Sequence, residues 1–263
     1  MHCRLPAPAA LAAVIVLASP AAAEIKKVAY PEVRVEVSEA YKPDAAFSAT
    51  RKALSDAVAR KDAAALFALV GPTFVWTMQG ATVEQFDLGR DALHNFKVVF
   101  GFRQQGQDVD GGVENGPYWD ALAAFASDGT YYEENQNLVC GPISASVADE
   151  QVFDLARSKI ESGDEAADWY FTFADTAVAK APGDAGPPVG RVGKVALPVL
   201  AAFPSSAEGK PPTTPTHLEI LMPNGRSGWI PAAAARPLAA ERLCYAKTAK
   251  GEWRIVAYDQ PQE

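Results

Sequence analysis

The tightest local constraint on this chain is the dipeptide Asn224-Gly225, set between the apolar runs "HLEILM" (217–222) and "SGWIP" (227–231). Both central positions of a two-residue type I′ turn need positive φ, which asparagine tolerates and glycine adopts freely. The pair predicts a β-hairpin with Met222 opposite Ser227, Leu221 opposite Gly228 and Ile220 opposite Trp229. In that register Trp229 shares a face with Ile220, neighbours Leu218 and packs inward. Ile220, Asn224, Gly225, Gly228 and Trp229 are thus expected to form the core and turn of a small β-unit.

Three further strand candidates precede the hairpin: "WYFTFA" (169–174), "TAVAK" (176–180) and "KVALPVL" (194–200). Short strands at this spacing predict a small barrel. A last hairpin, "RLCYAKTAKGEWRIVAYD" (242–259), places Trp253, Ile255 and Ala257 on one face against Arg254, Val256 and Tyr258 on the other. Upstream the pattern is helical. Phe47, Leu54 and Val58 share a face, Asp62 is placed to cap a second helix through Ala65, Leu66, Leu69 and Val70, and Gly71-Pro72 ends it. "TFVWT" (73–77) is strand-like, Gly89 to Phe100 helical, and Pro117 suits a first helical turn. "NLVCGPI" (137–143) is strand-like, and "DEQVFDLARSKI" (149–160) an amphipathic helix or connector. The expected fold is α+β: an N-terminal mainly helical or α+β domain over 44–160, a polar boundary at 161–168, and a barrel with its terminal hairpin over 168–259.

Residues 1–23 carry Arg4, an apolar stretch from Ala9 to Ala18, and Ala21-Ala22-Ala23, the small side chains that precede a secretory cleavage before Glu24. This segment is too short to span a bilayer, and no later stretch approaches about 20 apolar residues. A periplasmic or secreted location is expected. Of the chain's charged residues only Arg4 leaves with the signal, taking the formal charge from -8 to -9. No lysine or arginine cluster forms a cationic stripe, so nucleic acid is not an expected partner. Cys140 and Cys244 remain after cleavage, and export favours a disulfide between them. The alternative is two separate buried thiols.

"TAVAKAPGDAGPPVGRVGKVALPVL" followed by "HLEILMPNGRSGWIP" resembles the bacterial SH3-like (SH3b) domain pattern, on Lys180, Pro182, Pro188, Val189, Val192, Gly225, Gly228, Trp229 and Ile230. The likeness covers residues 170–237. With "YWDALAAFASDGTYY" and "KGEWRIVAYD" on either side, the chain is also similar to exported SH3-domain proteins of bacteria, although Gln260-Pro261 replaces their closing Gly-Asp and the 204–215 insertion lengthens one loop. A second resemblance, of "FSATRKALSDAVARKDAAALFALVGPTFVW" and "GRDAL" to the opening of SnoaL-like cone-shaped α+β domains, implies that the terminal hairpin could complete the first sheet and that Cys140 to Cys244 would staple it.

Catalytic constellations are missing from the sequence. Ser227 in "GRSGW" lacks a GxSxG setting, no histidine neighbours either cysteine, and His94 and His217 are too few for a convincing zinc site. Glu133 and Glu134 point to opposite faces if on a strand, and "GQDVDGG" lacks calcium-loop spacing. No cofactor is expected. The reading is a non-catalytic binding or adaptor protein of the periplasm or cell envelope, recognising a peptide, peptidoglycan or an envelope protein beside the hairpin at Tyr170 and Arg226. The rival is a small-molecule-binding or enzymatic SnoaL-like domain with an accessory barrel.

Overall fold

The computed structural model describes residues 25–78, 81–82, 91–102, 118–134, 137–161, 168–205 and 214–260. The expected signal peptide, the glycine-rich stretch Gly106–Gly116 and Pro117 lie outside the described residues. Four of the five described helices begin on an aspartate. Asp44 Oδ1 accepts from Phe47 N–H at 2.6 Å to start Ala45–Ala59, Asp62 from Ala65 N–H at 3.0 Å for Ala63–Phe67, and Asp91 from His94 N–H at 2.6 Å for Ala92–Val99. Asp149 caps Glu150–Ile160 through the Gln151 and Val152 amides. Each such cap satisfies an otherwise orphaned donor and contributes about 1 kcal/mol. Trp119–Ser127 begins without a side-chain cap.

The architecture is mixed α+β with sheets predominating. A six-stranded sheet runs in the order Ala81–Thr82, Val70–Met78, Trp253–Gln260, Arg242–Lys247, Leu138–Gly141, Tyr131–Glu133, and only the pairing of Val70–Met78 with Trp253–Gln260 is parallel. Four helices supply Phe47, Leu54, Leu66, Phe96, Leu122 and Phe125 to its core, where they meet Tyr245, Trp253 and Ile255. The terminal hairpin, expected to travel with the 168–259 segment, therefore sits inside the N-terminal sheet. Its strands find there two unpaired edges, Val70–Met78 and Leu138–Gly141, and unpaired backbone groups are costly when buried.

Its face pattern also differs from strict alternation. Cys244 pairs with Ala257 but Tyr245 with Ile255, so Val256 is an extra residue and the side-chain period inverts there. Tyr258, not Ala257, joins Trp253 and Ile255 in the helix-covered core, while Ala257 packs beside the disulfide on the opposite face. Cys140 and Cys244 are bonded across the neighbouring strands.

The chain leaves this sheet after Gly141 and returns at Arg242. Between them, joined by the leader strand Val33–Val37, it builds a second sheet in the order Ser227–Pro231, His217–Leu221, Val195–Phe203, Val33–Val37, Ala145–Val147, with Trp169–Thr172 branching between Val195–Phe203 and Ala235–Pro237. Thr176–Val178 and Gly190–Val192 form a ribbon that meets Ser227–Pro231 through Ala179 and Trp229. Among the described residues these strands trace open sheets rather than a closed barrel. The leader strand Val33–Val37 belongs to this second sheet, although it precedes the first in sequence. Strand Val195–Phe203 is buried on both faces near its start: Ala196 contacts the cluster of Tyr30, Trp169 and Phe171, and Leu197 that of Ile220, Leu218 and Ile230. No described helix is long and apolar enough to cross a membrane.

Candidate functional site

The hairpin at Asn224-Gly225 forms, but one residue out of the expected register. Leu221 pairs with Ser227, Ile220 with Gly228, Glu219 with Trp229 and Leu218 with Ile230. Gly225 N–H bonds to Met222 O at 2.9 Å and Met222 N–H to Arg226 O at 2.8 Å, and only Gly225 has positive φ, at 80°. This is a three-residue loop, a type I turn closed by a left-handed glycine. Pro223 accounts for the change, because its locked φ near −65° suits the first central position of a type I turn and makes Asn224 the second. Asn224 Oδ1 then accepts from Arg226 N–H at 3.0 Å.

A slip of one residue moves every side chain on the strand to the other face. Trp229 accordingly does not pack on Ile220. Ile220, Leu218 and Ile230 fill the core, whereas Trp229 stands opposite Glu219 on the outer face and is only partly buried. Its ring meets Phe203 edge-on, centroids 6.4 Å apart, and Phe203 is 49% exposed. Phe203 reaches the same face because it pairs with His217, two residues from Glu219.

The Trp229 backbone is held on its second edge as well, exchanging both hydrogen bonds with Ala179 at 2.8 and 2.9 Å. Gly228 permits that approach: a Cβ there would stand 2.5 Å from Val178 Cγ1 and 2.9 Å from Ala179 O. The aromatic pair is thus presented by a backbone fixed on both sides. Beside it, Lys27 and Glu219 form an ion pair at 3.4 Å, and His217 Nδ1 lies 3.0 Å from Thr216 Oγ1.

Tyr170 and Arg226 are placed differently. Tyr170 pairs with Leu197 and Pro237 and packs half-buried against the Ile220 core, and burial, helped by the Asp168 carboxylate, raises its phenol pKa. Arg226 is exposed at the turn. Among the described residues no hydrogen bond or ion pair joins the Arg226 and Tyr170 side chains. Glu133 lies on a strand near Arg242 at 3.9 Å and Glu134 follows in an exposed turn. Among the described residues no three His, Cys, Asp or Glu side chains gather as a metal site requires.

Two polar clusters escape sequence reasoning. Arg51 falls in the apolar stripe of its helix, four residues after Phe47 and three before Leu54, which is the signal that marks it. Its Nη2 donates to Ala126 O at 2.9 Å and Asp128 O at 2.5 Å, capping the end of helix Trp119–Ser127. Its Nη1 and the Tyr245 hydroxyl are both buried and make no hydrogen bond of normal geometry, and the guanidinium lies 5.9 Å from the Tyr245 ring centroid. Burial pushes the Tyr245 phenol up to about 12, against the lowering influence of Arg51. On the other face of the sheet, Arg242 binds Asp259 and donates to Tyr131 Oη at 2.6 Å, and Thr77 donates to Asp259. That network spans the strands of Thr77, Asp259, Arg242 and Tyr131 and serves to tie them together.

Compared with family models, curated proteins and solved structures, the chain matches none.

Proposed function

We propose that this is a non-catalytic binding or adaptor protein of the bacterial periplasm or cell envelope, recognising an extended peptide of an envelope component through an SH3-like unit within residues 168–237. The observation that carries this reading is the Trp229–Phe203 pair, an exposed aromatic edge on a backbone locked from both sides. Grooves that take extended peptides use aromatics in this way, since a rigid ring offers large contact area at small entropic cost. The disulfide fits an oxidising compartment. Titrating the oxidised protein with proline-rich and peptidoglycan stem peptides, followed on the Trp229 indole N–H resonance, tests it. Saturable shifts lost in Phe203→Ala are the expected result; no shift with any peptide would refute the proposal.

The second reading, a SnoaL-like ligand-binding domain, is favoured by one observation: the terminal hairpin completes a six-stranded sheet with helices packed against it, stapled by Cys140–Cys244. Against a roomy interior stands its filling by Phe47, Phe96, Phe100 and Tyr245, each at most 2% exposed. A screen of small apolar molecules for an increase in Tm that Leu122→Trp abolishes would separate this reading from the first.

A further inference from the structure

The helix-covered face of the six-stranded sheet carries a row of paired residues, Val70, Ile255, Tyr245, Val139 and Tyr132, running from strand to strand. Ile255, Tyr245 and Val139 are fully buried beneath the helices. The row ends at Tyr132 on the edge strand, where the cover stops and the ring is 45% exposed. Tyr41 lies against it, its ring near-parallel at 27° with centroids 6.5 Å apart, and Tyr41 in turn contacts Phe47 and Trp253 edge-on. The chain pins Tyr41 there through Tyr41 N–H to Thr130 O at 2.7 Å.

A polar rim borders this aromatic surface. Asp44 Oδ2 accepts from Lys247 Nζ at 2.8 Å, and both side chains remain substantially exposed, at 40% and 46%. Asp44 Oδ1 is engaged by Phe47 N–H and the Trp253 indole, so the carboxylate is held in place while one face of the pair stays open. An ammonium keeps donors to spare after one ion pair, and a carboxylate oxygen keeps an acceptor site. Tyr132 is oriented by its own hydroxyl, which donates to Asn137 Oδ1 at 2.5 Å.

We infer that Tyr132, Tyr41, Asp44 and Lys247 form a platform for one pyranose ring of a neutral oligosaccharide. The C–H face of such a ring is apolar and flat enough to lie on a tyrosine, while its hydroxyls project from the edge and need both a donor and an acceptor. Asp44 and Lys247 supply these with no net charge, which selects a neutral sugar over an acidic one. The platform lies on the other sheet from Trp229, so a peptide bound there and a glycan bound here would be independent.

The test is calorimetric titration of the oxidised protein with chitotetraose and cellotetraose. Saturable binding is expected for at least one, weakened at least about tenfold by Tyr132→Ala, which removes the platform. Tyr132→Phe keeps the ring and should stay within about threefold of wild type. Trp229→Ala should leave the affinity unchanged. No saturable binding of either sugar up to about 10 mM overturns the inference, as does a correctly folded Tyr132→Ala protein that binds like wild type.

Discussion

Replacing Cys140 and Cys244 together by alanine tests what a bond across two neighbouring strands of the six-stranded sheet contributes to stability. The bond joins positions 104 apart, so the oxidised unfolded chain carries a closed loop of about 105 residues. For that length the loop-closure relation gives about 4.7 kcal/mol at 25 °C. Strand pairing keeps the two residues adjacent whether or not the bond exists, so the loss falls mainly on the unfolded state. For the about 195 described residues the unfolding entropy is about 0.4 kcal/mol/K, so Tm should drop by about 12 °C. Urea unfolding should be followed on the oxidised wild type, on the wild type with reductant, and on the double variant. Reduced wild type isolates the loss of the bond, because it keeps both sulfurs in the Tyr131 cluster, and the double variant should fall below it only by the packing those sulfurs supply. A difference below about 1 kcal/mol between oxidised and reduced protein would refute the loop argument.

Gly228→Ala should cost about 2–3 kcal/mol, because the new Cβ meets the immovable Ala179 carbonyl as well as Val178; Gly193→Ala, with nothing within 4 Å of its Cβ, should be near neutral in the same melts. Tyr245→Phe should change stability by no more than about 1 kcal/mol, since the hydroxyl it removes is buried with no hydrogen bond of normal geometry and only the nearby Arg51 to offset that burial. Tyr245 also sets an alkaline limit. Its folded-state pKa lies above the ordinary 10, so the stability held by its neutral phenol is complete below pH 10 and is lost as pH rises toward about 12. Tyr30 and Tyr258, raised chiefly by burial, act in the same direction. Urea midpoints should therefore fall between pH 10 and 12, less steeply in Tyr245→Phe, and a flat profile would contradict this burial.

Elements whose signals are local are legible in the sequence. Asp62 caps its helix, the stretch 149–160, open between helix and connector, is helical over Glu150–Ile160, and the strands at 169, 176, 195, 217 and 227 lie where β-branched and aromatic runs place them. The candidate site is half legible: its sequence neighbourhood marks Trp229, but on the wrong face. One proline separates the two outcomes. With Asn224-Gly225 taken alone the loop has two residues; with Pro223 included it has three, and Trp229 turns from the interior toward Phe203. Arg51 is visible as a cation in an apolar stripe, yet its partners, Ala126, Asp128 and Tyr245, come from segments 75 to 194 residues away.

What the sequence by itself determined is the helix start at Asp62, where strands run, and that two cysteines were available to bond. These follow from side-chain oxygens meeting nearby amides, from periodicity and from backbone limits at proline and glycine, all acting within a few residues. Only the tertiary structure decided which sheet each strand joins. Val33–Val37 and Arg242–Gln260 each cross to the sheet farther from them in sequence, because an open strand edge buried beside a core must be paired, and the chain's order carries no record of which edges remain open. The same holds for the platform at Tyr132: a tyrosine opposite Val139 becomes a surface only where the helical cover ends, and that end is set by packing between distant segments.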